Sequence, residues 1–372
     1  MLLDGYPHLA EVMPSAMALL DVPGQVDTLG LGEADRVCVL LVDGLGWELL
    51  RDHAADAPVL TELAGRPLRV GYPSTTAAGL AAIGTGVASG EHGFTGYTFE
   101  VPGVGVVNAL RWRSHEDGSD VRGLLTPQDA QPLTTTFARA TAAGVTTSVV
   151  SGAEYARTAL TQAVLRGGRY QGVYALGDLA AEVLRALGQP RSLCYAYHSQ
   201  LDQLGHVYGP GSPAWRMQLR HVDRLVESIV DGLPPGGLLA VVADHGMVEI
   251  GEKLDLDDTP DLLAGVRAFG GEVRARHVYT EPGAQADVLA AWRATLGERA
   301  WVCSRDEAVE AGWFGPTVSD LARPRIGDVV AAACDRFGMV RELAEAVESS
   351  LVGQHGSLTS AEQLVPLALA RG

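Results

Sequence analysis

Lysine is almost missing from this sequence, in which Lys253 is the only one. A phosphate-binding loop of the form G-x-x-x-x-G-K-[ST] requires a lysine, and Lys253 lies in GEKLDL, so P-loop NTPases are excluded. A Schiff-base enzyme would have to use the same residue, which disfavours that class. Basic residues are also outnumbered, with 28 Lys and Arg against 45 Asp and Glu and a net charge of −17. We therefore expect no nucleic-acid-binding surface, because few cations are present to displace counterions.

Cysteines and long apolar runs are scarce as well. The four cysteines are widely spaced and form no C-x-x-C pair: Cys38, Cys194, Cys303 and Cys334. Cys38 and Cys194 lie in apolar runs, where buried free thiols are expected. No run of about 18 apolar residues predicts a membrane span, and residues 1–21 lack the basic and apolar segments of a secretory signal. We expect a reduced, cytoplasmic protein with no membrane partner.

Apolar residues make up 47% of the 372 residues, and many lie in short runs. Four runs, each ending at a polar residue, predict buried strands: residues 37–42, 145–150, 193–197 and 238–243. Helical patterns lie between them, including one that begins at Ser212-Pro213 and extends to about Ile229. This alternation predicts an α/β fold with a mostly parallel central sheet and helices on both faces. Ligands of such sheets bind at the carboxyl ends of the strands.

The length fits either two to three domains of about 150 residues or one large domain with insertions. We predict a single catalytic domain over residues 1–372. Two segments depart from the alternating pattern and are candidate cap insertions. Residues 95–130 are expected to form a hairpin and a loop over the sheet, whereas residues 251–325, rich in Asp, Gly and Pro, are expected to be irregular.

Acidic and histidine side chains follow several of the predicted strands. The candidates are Asp43, Asp202, His206, Asp244, His245 and the late His355. Aspartate and neutral histidine are common zinc ligands, and the spacing D-x-x-x-H can bring both side chains to one ion. Two sets of three or four ligands could be built from these six groups. Each residue also has a simpler interpretation: Asp43-Gly44 is a turn signal, and Asp202 and His206 could form a solvated helix face.

The segment Ser74-Thr75-Thr76 follows a strand-like PLRVGY and precedes the helical AAGLAAIGTGVA. Thr76 is therefore predicted at a helix N-terminus, where free N–H groups and the helix dipole favour an anion such as phosphate. The simpler interpretation is that the three hydroxyl residues only cap the helix.

The order of these pieces resembles the type I phosphodiesterase/nucleotide pyrophosphatase family of the alkaline phosphatase superfamily, from about residue 37 to residue 366. The strings that carry the resemblance are VDGLG (42–46), YPSTT (72–76), GTG (84–86), EHGFTG (91–96), DQLGHVYGP (202–210), ADHGM (243–247) and GQHGSLTSAEQLVPL (353–367). In that family a threonine lies nine residues before a Thr-Gly pair. Thr76 and Thr85-Gly86 keep this spacing, so Thr76 matches better than its neighbours.

The resemblance implies an alkaline phosphatase-like fold with two zinc ions. By resemblance, Asp202, His206 and His355 would hold one ion, and Asp43, Thr76, Asp244 and His245 would hold the other. It also implies that Thr76 is the nucleophile, because metal coordination lowers the pKa of its hydroxyl, and that a covalent phospho-threonine forms. The expected activity is cleavage of phosphodiester or pyrophosphate bonds in a small phosphate ester such as a nucleotide.

One position departs from the family pattern. Tyr97 stands where the family commonly has an asparagine that contacts a phosphate oxygen, so its hydroxyl is a candidate substrate-binding group. No arginine between residues 72 and 96 is available to clamp the extra charge of a monoester, so diesters or pyrophosphates are expected to be preferred. An arginine from elsewhere, such as Arg166 or Arg276, would reverse this expectation.

Other functions remain open at this point. The same site could act on phosphomonoesters or phosphonates, or the fold could be an inactive binding module. A dinucleotide-binding loop at Asp43-Gly44-Leu45-Gly46 is disfavoured, because Leu49 stands where G-x-G-x-x-G requires glycine. Sulfatases and cofactor-independent phosphoglycerate mutases fit less well, since their nucleophile motifs are missing. The sequence determines neither the leaving group nor the oligomeric state.

Overall fold

The computed structural model of the chain describes residue 3 and residues 5–372. The strands of this part of the chain are β1 (Arg36–Val42), β2 (Ala64–Arg69), β3 (Thr98–Val101), β4 (Gly105–Asn108), β5 (Arg113–Ser114), β6 (Thr146–Gly152), β7 (Arg169–Val173), β8 (Ser192–His198), β9 (Gly237–Val242), β10 (Val248–Glu249), β11 (Glu252–Asp255), β12 (Val266–Glu272), β13 (Ala275–Thr280), β14 (Ala300–Ser304), β15 (Val329–Ala333), β16 (Phe337–Val340), β17 (Gly353–Gln354) and β18 (Leu364–Arg371). The α-helices are α1 (Val12–Leu19), α2 (Trp47–Asp52), α3 (Pro58–Leu63), α4 (Thr76–Thr85), α5 (Ser89–His92), α6 (Pro127–Ala130), α7 (Thr136–Ala142), α8 (Ala159–Val164), α9 (Leu176–Ala186), α10 (Gln200–Tyr208), α11 (Pro213–Asp231), α12 (Pro260–Leu263), α13 (Gln285–Leu296), α14 (Arg305–Glu310), α15 (Ala346–Ser350) and α16 (Ser360–Gln363).

Seven strands form the central sheet in the order β2–β18–β9–β1–β8–β6–β7. Its pairings are parallel except the two made by β18, which runs antiparallel to β9 and to β2. The central strands β1 and β9 are buried along almost their whole length, as expected for strands covered on both faces. The predicted α/β class with a mostly parallel sheet is confirmed, and the four predicted strands correspond to β1, β6, β8 and β9.

Helices pack on the sheet in two groups. Helices α1, α4 and α7 contact one another, and α9 and α11 form a separate pair next to β6 and β8. Helix α11 begins where the sequence predicts, because the Ser212 side chain accepts a hydrogen bond from the Trp215 N–H and Pro213 occupies the first turn. Within the described residues, none of the helices combines the length and the apolar character needed to cross a membrane.

Both candidate insertions contain sheets. The predicted hairpin in residues 95–130 is β3 and β4, joined through Pro102-Gly103 and extended by β5. The expectation that residues 251–325 are irregular is wrong: most of an antiparallel sheet, in the order β12–β13–β15–β14, lies there, with a core that includes Phe269 and Trp292. Its strands escaped detection because β13 buries Arg276 and His277, which interrupt the apolar pattern.

The ends of several strands lie at one edge of the central sheet. The parallel strands β1, β8 and β9 end there, immediately before Asp43, Ser199 and Ala243. Strand β18 runs in the opposite direction, so it begins at this edge, shortly after His355. The predicted site residues are thus delivered to one place by the topology of the sheet.

Candidate active site

The turn after β1 places Asp43 at the centre of this edge. Gly44 has a φ of 73°, and a Cβ atom on it would lie 3.0 Å from Asp202, so glycine is needed both for the turn and for the approach of α10. The Tyr197 hydroxyl donates a hydrogen bond to Asp43 Oδ2. Asp43 Oδ1 lies 3.3 Å from His245 Nε2. The carboxylate is therefore held by Tyr197 on one side and faces the site on the other.

Thr76 is the first residue of α4, as the sequence predicts. The preceding residue, Thr75, is the N-cap, but its side chain makes no capping bond to the helix. Its hydroxyl donates instead to Glu272 Oε2, at 2.8 Å. Thr76 Oγ1 lies 3.2 Å from His245 Nε2. The predicted hydroxyl thus lies among the predicted ligands, at a helix N-terminus whose first N–H groups have no side-chain cap.

The three histidines of the site share one arrangement. In each ring Nδ1 lies within hydrogen-bond distance of a backbone carbonyl oxygen. The acceptors are Gly353 at 2.7 Å for His206, Gly246 at 3.0 Å for His245 and Ser74 at 2.9 Å for His355. Because a carbonyl only accepts, each Nδ1 must carry a proton, and Nε2 is the atom left to act as a ligand. Metal-binding histidines are commonly oriented in this way.

The ligand atoms converge closely. His355 Nε2 is 3.2 Å from His206 Nε2, and the rings of His245 and His355 stack with centroids 3.5 Å apart. Asp202 Oδ2 lies 3.3 Å from His206 Nε2, one helical turn along α10. These distances bring side chains from α10, from the turn after β9 and from the segment before β18 to one point.

Three carboxylate oxygens of the predicted ligands are buried without a hydrogen-bond partner, although the first lies 3.3 Å from His245 Nε2: Asp43 Oδ1, Asp202 Oδ1 and Asp244 Oδ2. Buried polar atoms are nearly always hydrogen-bonded, so a cation bound among these oxygens would account for them. The donor set of carboxylates and imidazole Nε2 atoms is the one that zinc prefers. The residues present therefore fit a divalent metal.

The pKa values of these groups reflect their burial and the charges that surround them. Burial, reinforced by the charge of Asp43, raises the pKa of Asp244 to about 7. Burial acts to lower the pKa of His245, but the carboxylates of Asp244 and Asp43 outweigh it and raise this pKa to about 10. Burial, followed by the charge of His245, lowers the pKa of His355 well below its usual range. A bound cation would offset the repulsion between the carboxylates of Asp43 and Asp244, which contributes to the shift of Asp244.

Two groups of potential ligands have their atoms within 4.8 Å of one another. One group is Asp43, Asp244 and His245, and the other is Asp202, His245 and His355. His245 belongs to both groups, whereas the family resemblance placed it only with Asp43. The structure brings together all seven of the predicted ligands, including Thr76 and His206, and its geometry links them into one continuous cluster.

Two cavities reach Thr76. The larger, of about 620 Å³, has mainly apolar walls that include Leu80, Tyr155, Leu160 and Leu165. The smaller, of about 230 Å³, is lined by Tyr97, Glu272, Glu348 and His355 among others. Arg111 and the metal-ligand candidates Asp202 and His206 line both cavities. Both cavities therefore open onto the same hydroxyl and the same ligand candidates.

Tyr97 lies in the smaller cavity, where its hydroxyl donates to Glu348 Oε1 at 3.1 Å. Burial raises the pKa of Tyr97 to about 12, so the phenol remains a hydrogen-bond donor. Its role as a phosphate contact stays a prediction, and its hydroxyl is already bonded to Glu348.

Sequence reasoning missed Arg111, Glu272 and Tyr197. Arg111 lines both cavities, whereas the two arginines named from the sequence line neither: Arg166 donates to backbone carbonyl oxygens, and Arg276 pairs with Glu345 at 2.7 Å inside the protein. Arg111 lies in a loop between β4 and β5 that carries no motif. Glu272 was hidden because its strand was not predicted. Tyr197 alone had a signal, because it ends an apolar run close to Asp43 and Asp244 in the predicted sheet.

A larger cleft, of about 840 Å³, lies between the β3–β4 hairpin and β12 and contains none of the predicted site residues. Its arginines are already paired. Arg267 binds Glu100 through two hydrogen bonds of 2.7 and 2.9 Å, and Arg341 binds Asp257 at 2.9 Å. The cluster of candidate ligands thus opens onto the two cavities at Thr76 and not onto this larger cleft.

Comparison with known protein families gives one extended match. The sequence model of the family described as type I phosphodiesterase/nucleotide pyrophosphatase matches residues 37–358. This range includes the six acidic and histidine candidates as well as Thr76 and Tyr97. Among curated proteins, the chain is 40% identical over 52 residues to GPI ethanolamine phosphate transferase 3 of Schizosaccharomyces pombe, a stretch that spans 14% of this chain and 6% of that protein.

Solved structures show the same fold at low sequence identity. The chain is similar to murine ectonucleotide pyrophosphatase/phosphodiesterase 5, with a TM-score of 0.69 and 16% identity, covering 91% of this chain and 88% of that chain. An inactive threonine-to-alanine variant of the murine protein in complex with AMP gives a TM-score of 0.68, 17% identity and coverage of 90% and 87%. The chain is also similar to phosphonoacetate hydrolase from Sinorhizobium meliloti 1021, in complex with phosphonoacetate, with a TM-score of 0.67 and 20% identity, covering 91% of this chain and 90% of that chain.

Proposed function

Because the chain belongs to the type I phosphodiesterase/nucleotide pyrophosphatase family, we propose that it hydrolyses a phosphodiester or pyrophosphate bond in a small substrate, with Thr76 as the nucleophile. The observation that carries the proposal is the position of Thr76 Oγ1. It lies 3.2 Å from His245 Nε2, at the start of α4, where both cavities meet the cluster of predicted ligands. The inactive murine variant solved with AMP carries a threonine-to-alanine change, which agrees with a threonine nucleophile.

We infer that the cluster holds two zinc ions. Following the family pattern, Asp202, His206 and His355 would bind one ion, and Asp43, Thr76, Asp244 and His245 the other. When bound, such ions lower the pKa of the Thr76 hydroxyl and stabilise negative charge on the attacking and leaving oxygens. Three buried carboxylate oxygens without partners and three Nε2 atoms directed into the site support this donor set.

Separate residues carry out the attack on phosphorus, the binding of the phosphoryl oxygens and the positioning of Asp43. The Thr76 hydroxyl releases its proton to solvent, and Oγ forms a bond to phosphorus while the bond from phosphorus to the leaving oxygen breaks. The uncapped N–H groups at the start of α4 face the phosphoryl oxygens and favour their negative charge. Water then attacks the phosphorus of the Thr76 ester, which releases the product and restores the Thr76 hydroxyl. Tyr197 holds Asp43 in place through its hydrogen bond to Oδ2 throughout.

The larger cavity supports a substrate with a bulky organic group. Its volume of about 620 Å³ is in the range of sites that bind small organic molecules, and its walls are mainly apolar and include leucine and tyrosine side chains. A nucleoside fits this description, because its base is flat and has apolar faces. The reacting phosphorus would then lie over Thr76 with the organic group against Leu80 and Leu160.

The experiment that tests this function compares substrates at one pH with zinc in excess. We expect kcat/KM for the p-nitrophenyl ester of thymidine monophosphate to exceed that for p-nitrophenyl phosphate by at least about 10-fold, or 1.4 kcal/mol of transition-state binding. A preference for p-nitrophenyl phosphate would make the protein a phosphomonoesterase. Turnover of phosphonoacetate alone would make it a phosphonate hydrolase, and no turnover of any of these compounds would contradict the proposal.

We also propose that the protein works in the cytoplasm. Cys38 and Cys194 are buried free thiols that lie opposite each other on β1 and β8. Free thiols at this position are typical of a reducing compartment. Fractionation of the producing cell would test this, and recovery from an oxidising compartment would contradict it.

A further inference from the structure

We propose that Arg111 determines substrate specificity by binding a second anionic group of the substrate, separate from the phosphoryl group that reacts at Thr76. The inference rests on the proposed hydrolysis and names the chemistry of its substrate: a pyrophosphate, or another phosphate ester that carries a further negative charge close to the scissile bond.

The first support is the position of Arg111. It lines both the larger and the smaller cavity, and within the described residues neither cavity is lined by another arginine or by the lysine. Its companions in both linings include Leu110 and Val347, which are 38% and 61% exposed and so mark the mouth of the site. Thr76, by contrast, is half-buried and lies 3.2 Å from the fully buried His245. A cation at the mouth therefore meets a part of the substrate other than the reacting phosphorus.

The second support is that the guanidinium is available. No carboxylate of the described residues lies within salt-bridge distance of Arg111, and its side chain makes no hydrogen bond with them. The nearby Arg113 differs, because its guanidinium donates to the Gly118 carbonyl oxygen at 2.7 Å. Arg267 and Arg341 in the neighbouring cleft are also paired, with Glu100 and Asp257. An unpaired guanidinium in a substrate cavity has its full hydrogen-bonding capacity free for an anion.

The third support is that the backbone holds Arg111 in a fixed place. Asn108 Oδ1 accepts hydrogen bonds from the N–H groups of Leu110 and Arg111, at 3.1 and 2.9 Å. On the other side, Trp112 is buried, and its indole N–H donates to the Leu125 carbonyl oxygen at 2.9 Å. The residue is thus anchored from both directions, so little ordering of the backbone is needed when an anion binds.

The acidic residues around the two cavities disfavour a second anionic group of the substrate unless it lies next to Arg111. The site as a whole is acidic, with Asp202 and Glu348 also lining the smaller cavity. A substrate with one negative charge needs nothing beyond the metal cluster and the start of α4. A substrate with a second anionic group would be repelled by these carboxylates unless a cation faced that group, and Arg111 supplies that cation.

The test compares two substrates in the full-length protein with zinc in excess. Diadenosine diphosphate carries a second phosphate beside the scissile bond, whereas the p-nitrophenyl ester of thymidine monophosphate has one phosphate. We expect Arg111→Gln to lower kcat/KM for diadenosine diphosphate by at least about 10-fold, mainly through KM, because a charge-assisted hydrogen bond is lost. The thymidine ester should change by less than about 3-fold, and Arg111→Lys should recover part of the loss.

The matched control is Arg113→Gln, which removes the same charge two residues away, at the start of β5, where the side chain lines neither cavity. It should leave both substrates unchanged. An equal loss for both substrates in Arg111→Gln, or no loss for either, would overturn the role of Arg111. Failure of the wild-type protein to cleave both compounds would instead overturn the proposed hydrolysis, so the two failures are distinguishable.

Discussion

At the scale of the residue, three consecutive hydroxyl groups have three different surroundings. The Ser74 hydroxyl donates to the Ser357 carbonyl oxygen at 2.8 Å, and the Thr75 hydroxyl donates to Glu272. Thr76 Oγ1 alone faces the cluster of predicted ligands. The first two hydroxyls therefore connect the start of α4 to neighbouring segments, and the third is the one placed to attack a substrate.

We predict that Thr76→Ala loses nearly all activity, because no neighbouring hydroxyl occupies the same position. Thr76→Ser should keep measurable turnover, since it retains the oxygen. Neither change should cost more than about 1 kcal/mol of folding free energy, the usual effect of losing a polar side chain at a helix start. Activity is measured as turnover of the p-nitrophenyl ester of thymidine monophosphate, and the folding free energy is measured by urea unfolding.

Thr75→Val is the control, because it removes a hydroxyl one residue away. Its activity should stay far above that of Thr76→Ala. If Thr76→Ala remained active, or if Thr75→Val lost as much activity, the assignment of the nucleophile would be wrong.

At the scale of the element, α4 owes its position to Gly79. A Cβ atom on Gly79 would lie 2.4 Å from Asp244 Cβ, which is far inside van der Waals contact. The helix can approach the turn after β9 only because this residue is glycine. The contact between Thr76 and His245 depends on the same approach.

We therefore predict that Gly79→Ala displaces α4, lowers the free energy of unfolding by about 1–3 kcal/mol and strongly reduces activity. Gly177→Ala in α9 is the matched control, since a Cβ atom there meets nothing within 4 Å. That change should be neutral or should stabilise the protein by up to about 1 kcal/mol. Full activity in Gly79→Ala would show that the close approach of α4 is not required.

The segment that carries Val347 and Glu348 is fixed by a buried ion pair. Glu345 binds Arg276 at 2.7 Å and also lies 3.1 Å from His115 Nε2. Burial acts to raise the pKa of Glu345, but the charge of Arg276 and the contact with His115 outweigh it and lower the pKa to about 2. The ion pair thus stabilises the folded state at every pH at which Glu345 is ionised.

Because this pKa is lower in the folded protein than in the unfolded chain, the stabilisation is complete above about pH 4.5 and is lost as the pH falls towards 2. We predict that Glu345→Gln lowers the free energy of unfolding at pH 7 by about 3 kcal/mol. Urea unfolding in chelator over this pH range should show the difference from wild type shrinking. Glu342→Gln, an exposed change on the same segment, should have little effect, and a difference that did not depend on pH would contradict the account.

The elements differ in how much of them the sequence could predict. Strands β1 and β9 are buried on both faces, so each appears in the sequence as an unbroken apolar run. The aspartates that follow these runs, Asp43 and Asp244, marked the edge of the sheet where the strands end. Strand β13 buries Arg276 and His277 through hydrogen bonds that no linear pattern reveals. The same limit applies to Arg111, whose position in the cavity depends on how the hairpin folds over the sheet. Motifs thus predicted which acidic, histidine and threonine side chains the structure brings together, whereas tertiary contacts decide which other side chains join them.

At the scale of the whole molecule, the site joins segments that are far apart in the chain. Asp43 and His355 are delivered by opposite ends of the sequence, and α10 supplies Asp202 and His206 from its middle. Carboxylates that would repel one another face the same point, which opposes folding unless a cation is bound. Metal binding and global stability should therefore be coupled.

We predict that a chelator abolishes activity and lowers the melting temperature, and that zinc restores both. Asp244→Asn and His355→Ala should each reduce the bound zinc towards one ion per chain. Metal analysis, calorimetry and turnover check the three outcomes. An active protein without bound metal would contradict the proposed chemistry, and restoration by manganese alone would contradict the choice of zinc.

The central claim is that Thr76 becomes covalently attached to the substrate. Its most direct test is to mix the enzyme with the p-nitrophenyl ester of thymidine monophosphate, quench with acid during turnover and locate the adduct by fragmentation of the peptide that contains Ser74, Thr75 and Thr76. We predict one thymidylyl group on Thr76 in the wild-type protein and none in Thr76→Ala. An adduct on another residue, or product formation in the first turnover with no adduct at all, would contradict the account.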